Sequence, residues 1–190
     1  MVIRPNYYYQ KFNNNQFLFN NMAPELIIVT TKTKSERMVS WLLDHSKFVT
    51  DPCHTESAVL TPTTVILAHE QWRVEGITAL LKEKDFRAIS LHGGHNSTYR
   101  EMVAREFRLR RFDIVVCSNG LDLHADFPIP KLIITIDLPP KLTGNQFVCS
   151  NAILVDIEKM SDLRVLRTIY DYLVVSRSEV PGWVYEHMEQ

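Results

Sequence analysis

The chain has 190 residues, of which 45% are hydrophobic, and its formal net charge is −1. This composition suits one soluble globular domain and excludes a general electrostatic attraction to nucleic acids. Three cysteines far apart in the sequence, Cys53, Cys117 and Cys149, argue against a disulfide framework or a zinc cluster and fit a reducing, intracellular compartment. The N-terminal stretch lacks the apolar core of a secretory signal, and no window approaches the ~20 apolar residues of a membrane span. We therefore expect no membrane association.

Two regions are predicted along the chain. Residues 1–22 carry a tyrosine triplet and an asparagine cluster without a regular hydrophobic period, which predicts an extended arm, with a polar tail as the alternative. Residues 23–190 form the predicted domain. Its strands are expected at 25–31, 63–68, 87–91, 113–117, 131–137 and 152–155. Its helices are expected at 35–45 behind a Ser35 cap, around Val74 to Leu81, at 97–111 and at about 161–175. A long loop is expected at 45–62.

Apolar strands that alternate with amphipathic helices predict an α/β fold. Its mostly parallel sheet is covered by helices on both faces. Ligands of such sheets bind outside the carboxyl ends of the strands. The loops at 69–73, 92–100 and 117–126 are therefore expected to lie on one edge of the molecule.

The loop at 92–100 predicts a phosphate site. Gly93 and Gly94 allow a close approach of the backbone, and the helix that follows presents N–H groups and the positive end of its dipole. Arg100 lies in the first turns of that helix. Arg108 and Arg111 follow on a similar side, and the alternative is a solvated arginine face balanced by Glu101 and Glu106.

The sequence offers no catalytic centre of its own. His92 and His95 bracket the glycines, but an HxxH loop without a third ligand is not a zinc site, so no metal is predicted. Cys117 ends an apolar strand, which predicts a buried and inert thiol. HExxH, GxSxG and GxxxxGK[ST] motifs do not occur in the sequence. The chain alone therefore has no usual cradle for a triphosphate.

Four stretches in order carry a family resemblance, namely "VILAHEQWRVEGITALLK", "HGGHNSTYRE", "VVCSNGLDLHAD" and "LIITIDLP". Residues 25–140 resemble the C-terminal RecA-like domain of DEAD-box RNA helicases in these motifs and in their spacing. The resemblance implies a RecA-like three-layer fold for residues 23–190. It also implies that Arg100, which matches the arginine of the family's Gln-x-x-Arg, contacts the RNA backbone, and that Arg73 is retained from the preceding motif.

Several positions depart from the family pattern. Ser97 replaces the glutamine of Gln-x-x-Arg, and Glu70 replaces a threonine. Ser118-Asn119 stands in place of Thr-Asp, and Leu123-His124 in place of Arg-Gly. Asp126 remains, and the resemblance implies that it approaches the nucleotide ribose in active members.

The largest departure follows "DLPP". The family's "HRIGRTGR", which supplies arginine fingers, has no counterpart, and residues 141–161 contain no arginine. The loss of such a finger typically lowers the rate by ~10³–10⁵. The resemblance therefore implies a degenerate helicase domain that binds single-stranded RNA and supports assembly without its own ATP hydrolysis. The expected RNA-binding residues are Arg73, Gly93, Gly94, Arg100, Ser118, Asn119 and Gly120, and Asp126 is a remnant of nucleotide binding.

Two alternatives stay open at this point. The chain is the second half of an ATP-dependent RNA helicase, with ATP and Mg²⁺ bound only if an upstream RecA-like half is active, or it is a scaffold for protein binding. The tail "LRVLRTIYDYLVVSRSEVPGW" and the pattern of losses further resemble the insect Yb proteins, Tudor-domain helicase-like factors of the piRNA pathway. That resemblance implies perinuclear cytoplasmic RNA granules, an upstream RecA-like domain, a Tudor domain and self-association as a homodimer.

Overall fold

The fold is an α/β sandwich around a six-stranded parallel sheet. The computed structural model describes residues 25–45, 47–48, 59–60, 62–118, 127–128, 130–137, 152–159, 162–175 and 179–188. The sheet consists of β1 (Glu25–Val29), β4 (Thr64–Ala68), β5 (Ala88–Leu91), β6 (Ile114–Ser118), β7 (Leu132–Thr135) and β8 (Ala152–Asp156), in the order β1-β8-β7-β4-β6-β5. All neighbours in it pair in parallel. These strands confirm all six that the sequence predicts.

Helices cover both faces of the sheet. The helices are α1 (Lys34–His45), α2 (Gln71–Glu83), α3 (Ser97–Arg108), α4 (Leu163–Val175) and α5 (Gly182–Met188). One hydrophobic cluster contains residues of α1 and α2, and the other contains residues of α3, α4 and α5. The three-layer arrangement predicted from the alternation of strands and helices is therefore confirmed.

Strand β4 shows how the sheet joins the two clusters. All five of its residues are buried. Ile66 and Ala68 belong to the cluster under α1 and α2, whereas Val65 and Leu67 belong to the cluster on the other face. Because successive side chains of a strand point to opposite faces, a continuous apolar run is what a sheet buried on both sides requires.

The boundaries of α3 differ from the prediction. The helix was expected to reach residue 111 but ends at Arg108, because Arg110 adopts a left-handed backbone conformation with φ 59°. The N–H of Arg110 donates to the carbonyl of Phe107, and that of Arg111 to the carbonyl of Glu106. These two bonds form a Schellman motif, which ends a helix even where no glycine is present.

Other local features were also missed. Helix α1 begins at Lys34, so Ser35 lies inside its first turn and is not the predicted cap. The loop predicted at 45–62 contains an antiparallel pair, β2 (Lys47–Phe48) with β3 (Val59–Leu60), and "GWVY" begins α5 instead of ending α4. The predicted arm at 1–22 lies outside the described residues. Within the described ranges, no helix combines the length and apolar character that a bilayer crossing requires.

Candidate nucleic-acid interface

The carboxyl ends of three neighbouring strands lie level with one another. In the register of β4 and β6, Ala68 faces Ser118, and in that of β5 and β6, Leu91 faces Cys117. Since β6 lies between β4 and β5, the segments that follow β4 and β5 leave the sheet at the same edge as the end of β6. The prediction that these segments begin at one edge is therefore confirmed.

The turn after β5, residues 92–96, is closed by its own histidines. The N–H of His95 donates to the carbonyl of His92 over 3.0 Å, and the N–H of His92 donates to Nδ1 of His95 over 3.1 Å. The N–H of Gly94 donates to Nδ1 of His92 over 3.2 Å. The His95 ring also stacks on Tyr99, with 4.1 Å between the ring centroids. Backbone and side chains together hold the turn in one shape.

Helix α2 anchors this turn through Glu75. Its carboxylate lies 2.8 Å from Nε2 of His92, a side chain that is only 6% exposed. Burial alone would raise the pKa of Glu75, but hydrogen bonds from Ser90 and His92 and the nearby histidine charges hold that pKa below its usual range. For His95, burial and the charges of His92 and Arg100 lower the pKa despite the opposing influence of Glu75.

Glu75, His92 and His95 place three potential metal-ligand atoms within 4.8 Å of one another. The sequence argument against a metal assumed that no third ligand exists, and this premise is wrong. The hydrogen bonds nevertheless favour a different role. Both histidines accept a backbone N–H at Nδ1, so in their neutral forms both carry the proton at Nε2. A histidine that ligates a metal through Nε2 normally donates from Nδ1 instead.

The two glycines of the turn have different roles. A Cβ atom on Gly94 would lie 3.1 Å from two ring atoms of His92 and 3.2 Å from Nε2 of Gln71, so this glycine makes room for the packing of the turn itself. A Cβ atom on Gly93 would meet nothing within 4 Å. Both glycines are exposed at the edge, as the sequence predicted, and at Gly93 even a side chain would enter open space.

Arg100 joins the turn to the first turns of α3. Its Nε donates to the carbonyl of His95 over 3.1 Å, and its Nη2 to the carbonyl of Gly93 over 3.4 Å. The guanidinium carries five N–H donors, so these two bonds orient it without exhausting it. Its side chain is partly exposed. The arginine therefore lies on the same edge as the accessible backbone of Gly93.

The N-terminus of α3 lies beside the same turn. Asn96 caps the helix, and its side-chain oxygen accepts the N–H of Tyr99 over 2.9 Å. Among the described residues, no partner is found for the N–H groups of Ser97 and Thr98. These groups carry the positive end of the helix dipole and suit an anion.

Arg73 is placed differently from Arg100. Its Nε lies 3.2 Å from Oδ2 of Asp137, and Nζ of the buried Lys34 lies 2.8 Å from Oδ1 of the same carboxylate. Burial raises the pKa of Asp137, but these two cations and the His69 N–H outweigh it and lower that pKa overall. Arg73 therefore joins the first turn of α2 to the segment that follows β7, and its contact with RNA stays a prediction.

The end of β6 is described only as far as Ser118, which is partly exposed at the edge. Asn119, Gly120 and Asp126 lie outside the described residues, so their predicted roles stay predictions. Cys117 is buried, and burial raises the pKa of its thiol to about 12. The expectation of a buried and inert thiol is confirmed.

The arginines at the far end of α3 bind acidic residues. Nη1 of Arg111 lies 2.7 Å and Nε of Arg105 lies 3.1 Å from the carboxylate of Glu106, which is 9% exposed. Arg110 lies 3.0 Å from the buried carboxylate of Asp113. Glu106 thus balances Arg111, as the alternative interpretation of this helix proposed, whereas Arg100 remains bound to the turn.

Three charged residues of this edge were not identified from the sequence, namely Glu75, Lys34 and Asp137. A weak signal existed for Glu75, because it lies one helical turn after Gln71 on the side that meets the turn. Asp137 lies two residues after the end of β7, near the same edge as the other loops. Lys34 showed no local signal, since its partner lies 103 positions away.

Gly94→Ala is expected to lower the free energy of unfolding by about 1–3 kcal/mol, because the added methyl group must displace the His92 ring or the Gln71 side chain. Gly93→Ala is the matched control, since its methyl group enters open space. Its stability should stay within about 1 kcal/mol of the wild type. Urea unfolding of both variants checks this prediction, and equal losses would contradict it.

Acidification should destabilise the protein through His95. Because folding lowers the pKa of His95 from 6.5, the unfolded chain binds the proton at higher pH than the folded chain. The free energy of unfolding should therefore fall as the pH falls below about 6.5. His95→Asn keeps an acceptor near Nδ1 and should flatten this dependence between about pH 7.5 and 5.5 in urea unfolding. His187→Asn is the control, and an unchanged slope in His95→Asn would refute the assignment.

Comparison with known proteins supports the architecture. No protein-family model matches the chain. Over 162 residues the chain is 25% identical to the ATP-dependent RNA helicase abstrakt of Drosophila melanogaster. The match covers 80% of this chain and 24% of the relative, so the chain spans about a quarter of the relative's length.

Solved structures of DEAD-box proteins share the fold. The C-terminal domain of the DEAD-box protein Dbp5 matches with a TM-score of 0.60 at 14% identity, over 88% of this chain and 95% of that domain. The yeast DEAD-box splicing factor Prp28 matches with a TM-score of 0.64 at 11% identity, over 87% of this chain and 36% of that one. A DEAD box protein from the hyperthermophile Methanococcus jannaschii matches with a TM-score of 0.56 at 15% identity, over 84% and 41%. The chain therefore has the RecA-like α/β fold found in DEAD-box proteins, and its sequence is similar to that of an RNA helicase.

Proposed function

We propose that this chain binds the phosphate backbone of single-stranded RNA and does not itself hydrolyse ATP. The observation that carries the proposal is the placement of Arg100, the open backbone at Gly93 and the N-terminus of α3 on one turn at the carboxyl edge of the sheet. A guanidinium and backbone N–H groups are the donors that phosphate oxygens accept. The relative's name, an ATP-dependent RNA helicase, supports RNA as the polymer.

The chemistry of this edge favours recognition of the backbone over the bases. Arg100 and the N–H groups of Ser97 and Thr98 offer donors for phosphate oxygens, which every nucleotide presents. Such contacts set position and affinity but carry little sequence information. With a net charge of −1 on the whole chain, affinity must come from this local group and should be sensitive to salt.

The absence of hydrolysis is proposed from the sequence. Leu123 and His124 stand where active relatives have Arg-Gly, and residues 141–161 contain no arginine. Phosphoryl transfer needs positive charge beside the transferred group to stabilise the negative charge of its transition state, and an arginine finger contributes ~10³–10⁵ in rate. A leucine cannot supply that charge. The sequence thus keeps groups that bind a phosphate backbone, and at residues 123–124 and 141–161 it lacks the arginines that would help to break a phosphoanhydride.

Arg100→Glu should weaken binding of single-stranded RNA about ten- to hundredfold, the equivalent of about 1.5–3 kcal/mol for a hydrogen bond to a charged group. It should also reduce the slope of log affinity against log salt concentration by about one, because about one counterion fewer is released. Arg108→Glu is the matched control, because it makes the same charge change on the same helix about 12 Å further along. Fluorescence anisotropy with a labelled RNA measures both variants.

The outcomes of that experiment separate three interpretations. A loss confined to Arg100→Glu supports the phosphate site. Equal losses in both variants would mean that only net charge matters. No binding by the wild type at low salt would leave the protein-binding scaffold as the better interpretation.

The second candidate is one half of an ATP-dependent RNA helicase. The name of the curated relative favours it, and so does the retention of Asp126. We expect no RNA-stimulated ATP turnover above background in the full-length protein, because the charges for hydrolysis are missing. Turnover that disappears in Asp126→Ala would establish the second candidate. In that case ATP and Mg²⁺ would bind with the help of an upstream RecA-like half.

The narrower assignment rests on the losses from the motifs and on the tail at 163–183. We propose a role of Yb type, in which the chain binds piRNA precursor transcripts in perinuclear cytoplasmic granules. This role would include self-association as a homodimer, an upstream RecA-like domain and a Tudor domain in the full-length protein. The resemblance of the motifs supports this assignment.

A further inference from the structure

Trp72 is the large apolar side chain most exposed to solvent in the described part of the chain. The residue is 67% exposed and lies in the first turn of α2, four residues after the end of β4. Exposing a tryptophan is costly because its ring is among the largest apolar surfaces of any residue. A ring kept in this position is therefore a candidate binding group.

The first turn of α2 borders the turn at 92–96. Nε2 of Gln71 approaches Gly94, and Glu75 binds His92. Val74, Ile77 and Leu81 face the core, so helical geometry places Trp72 on the outer side of α2. Helical side chains lean toward the N-terminus of their helix, which here is the carboxyl edge of the sheet. Helical geometry therefore places the ring on the same edge of the sheet as the proposed phosphate site.

We propose that Trp72 stacks on a nucleobase of the single-stranded RNA whose phosphates are bound at Gly93 and Arg100. This inference rests on the proposed function and adds a contact to the bases. Arg73 covers one face of the ring, since its guanidinium carbon lies over the ring at 5.0 Å from the centroid. That cation is itself held by Asp137, so the ring is restrained before RNA binds.

The surrounding charges favour a base over a phosphate at this position. Glu70 and Glu75, with side chains 56% and 50% exposed, lie on the same turns of the helix as Trp72. Their carboxylates repel phosphate but not an uncharged base. The sugar-phosphate chain would then stay on the Arg100 side of the turn while a base reaches the ring. A flat aromatic ring stacks on any base, so the contact needs no sequence preference.

The outer face of α2 does not fit a protein groove as well. Its other exposed residues near the ring are Gln71, Glu75, Gly76 and Ala79, which are polar or small. Protein interfaces bury contiguous apolar patches, whereas a single ring among polar groups matches the area of one base. Single-stranded RNA is therefore the occupant to which the proposal commits.

The experiment compares two ligands on the full chain. One is a labelled oligouridylate, and the other is an abasic oligoribonucleotide of the same length and charge. Trp72→Ala should weaken binding of the oligouridylate about tenfold and leave binding of the abasic ligand nearly unchanged. Trp72→Phe should restore most of the affinity. Leu109→Ala, which removes another exposed apolar side chain at the opposite edge of the sheet, is the control and should change neither affinity.

The possible results are distinct. Equal losses on both ligands would overturn the stacking role, because the abasic ligand has no base to stack. No loss on either would also overturn it and would assign the ring to another partner, such as a protein. In both cases an intact response to Arg100→Glu would leave the proposed RNA function standing. If the wild-type chain binds neither ligand, both proposals fail.

Discussion

The level pairing of β4, β6 and β5 is the constraint on which the candidate site depends. Each strand is buried on both faces, so its apolar residues fix which side chain points to which helix layer. A slip of one residue would exchange the two faces of a strand, and the loss of burial opposes it. The ends of the three strands are therefore aligned by the core itself. The positions of the residues at the edge therefore depend on the packing of the core beneath them.

The turn at 92–96 gives the aligned edge of the sheet a fixed shape. Glu75 holds the buried ring of His92, and His92 in turn orders the backbone of the turn. Arg100 donates to two carbonyls of the same turn, which limits its rotamers before any ligand binds. Ordering a long side chain costs up to ~2 kcal/mol, so an arginine that is ordered in advance binds a phosphate at lower cost. Gly94 is needed because this packing leaves no room for a side chain.

Local sequence patterns could predict the strands and their common edge, but few of the contacts between residues that are far apart in the chain. Continuous apolar runs predicted the strands, and the spacing of Gly93, Gly94 and Arg100 predicted their common edge. The ion pairs of Asp137 with Lys34 and Arg73 join residues that are far apart in the chain, and no local period reveals them. The end of α3 at Arg108 was missed because its Schellman motif uses arginine where the usual signal is glycine. The exposure of Trp72 likewise depends on which side of α2 meets the sheet.

The proposed function requires a domain of this fold to bind RNA without hydrolysing ATP. The proposed grip is built from residues 92–100 and is stabilised by α2 through the contact of Glu75 with His92. The arginines at the other end of α3 are bound to Glu106 and Asp113, so they stabilise the fold at the opposite edge. Under the proposed function, binding depends on residues 92–100, whereas hydrolysis would need arginines that residues 141–161 do not contain.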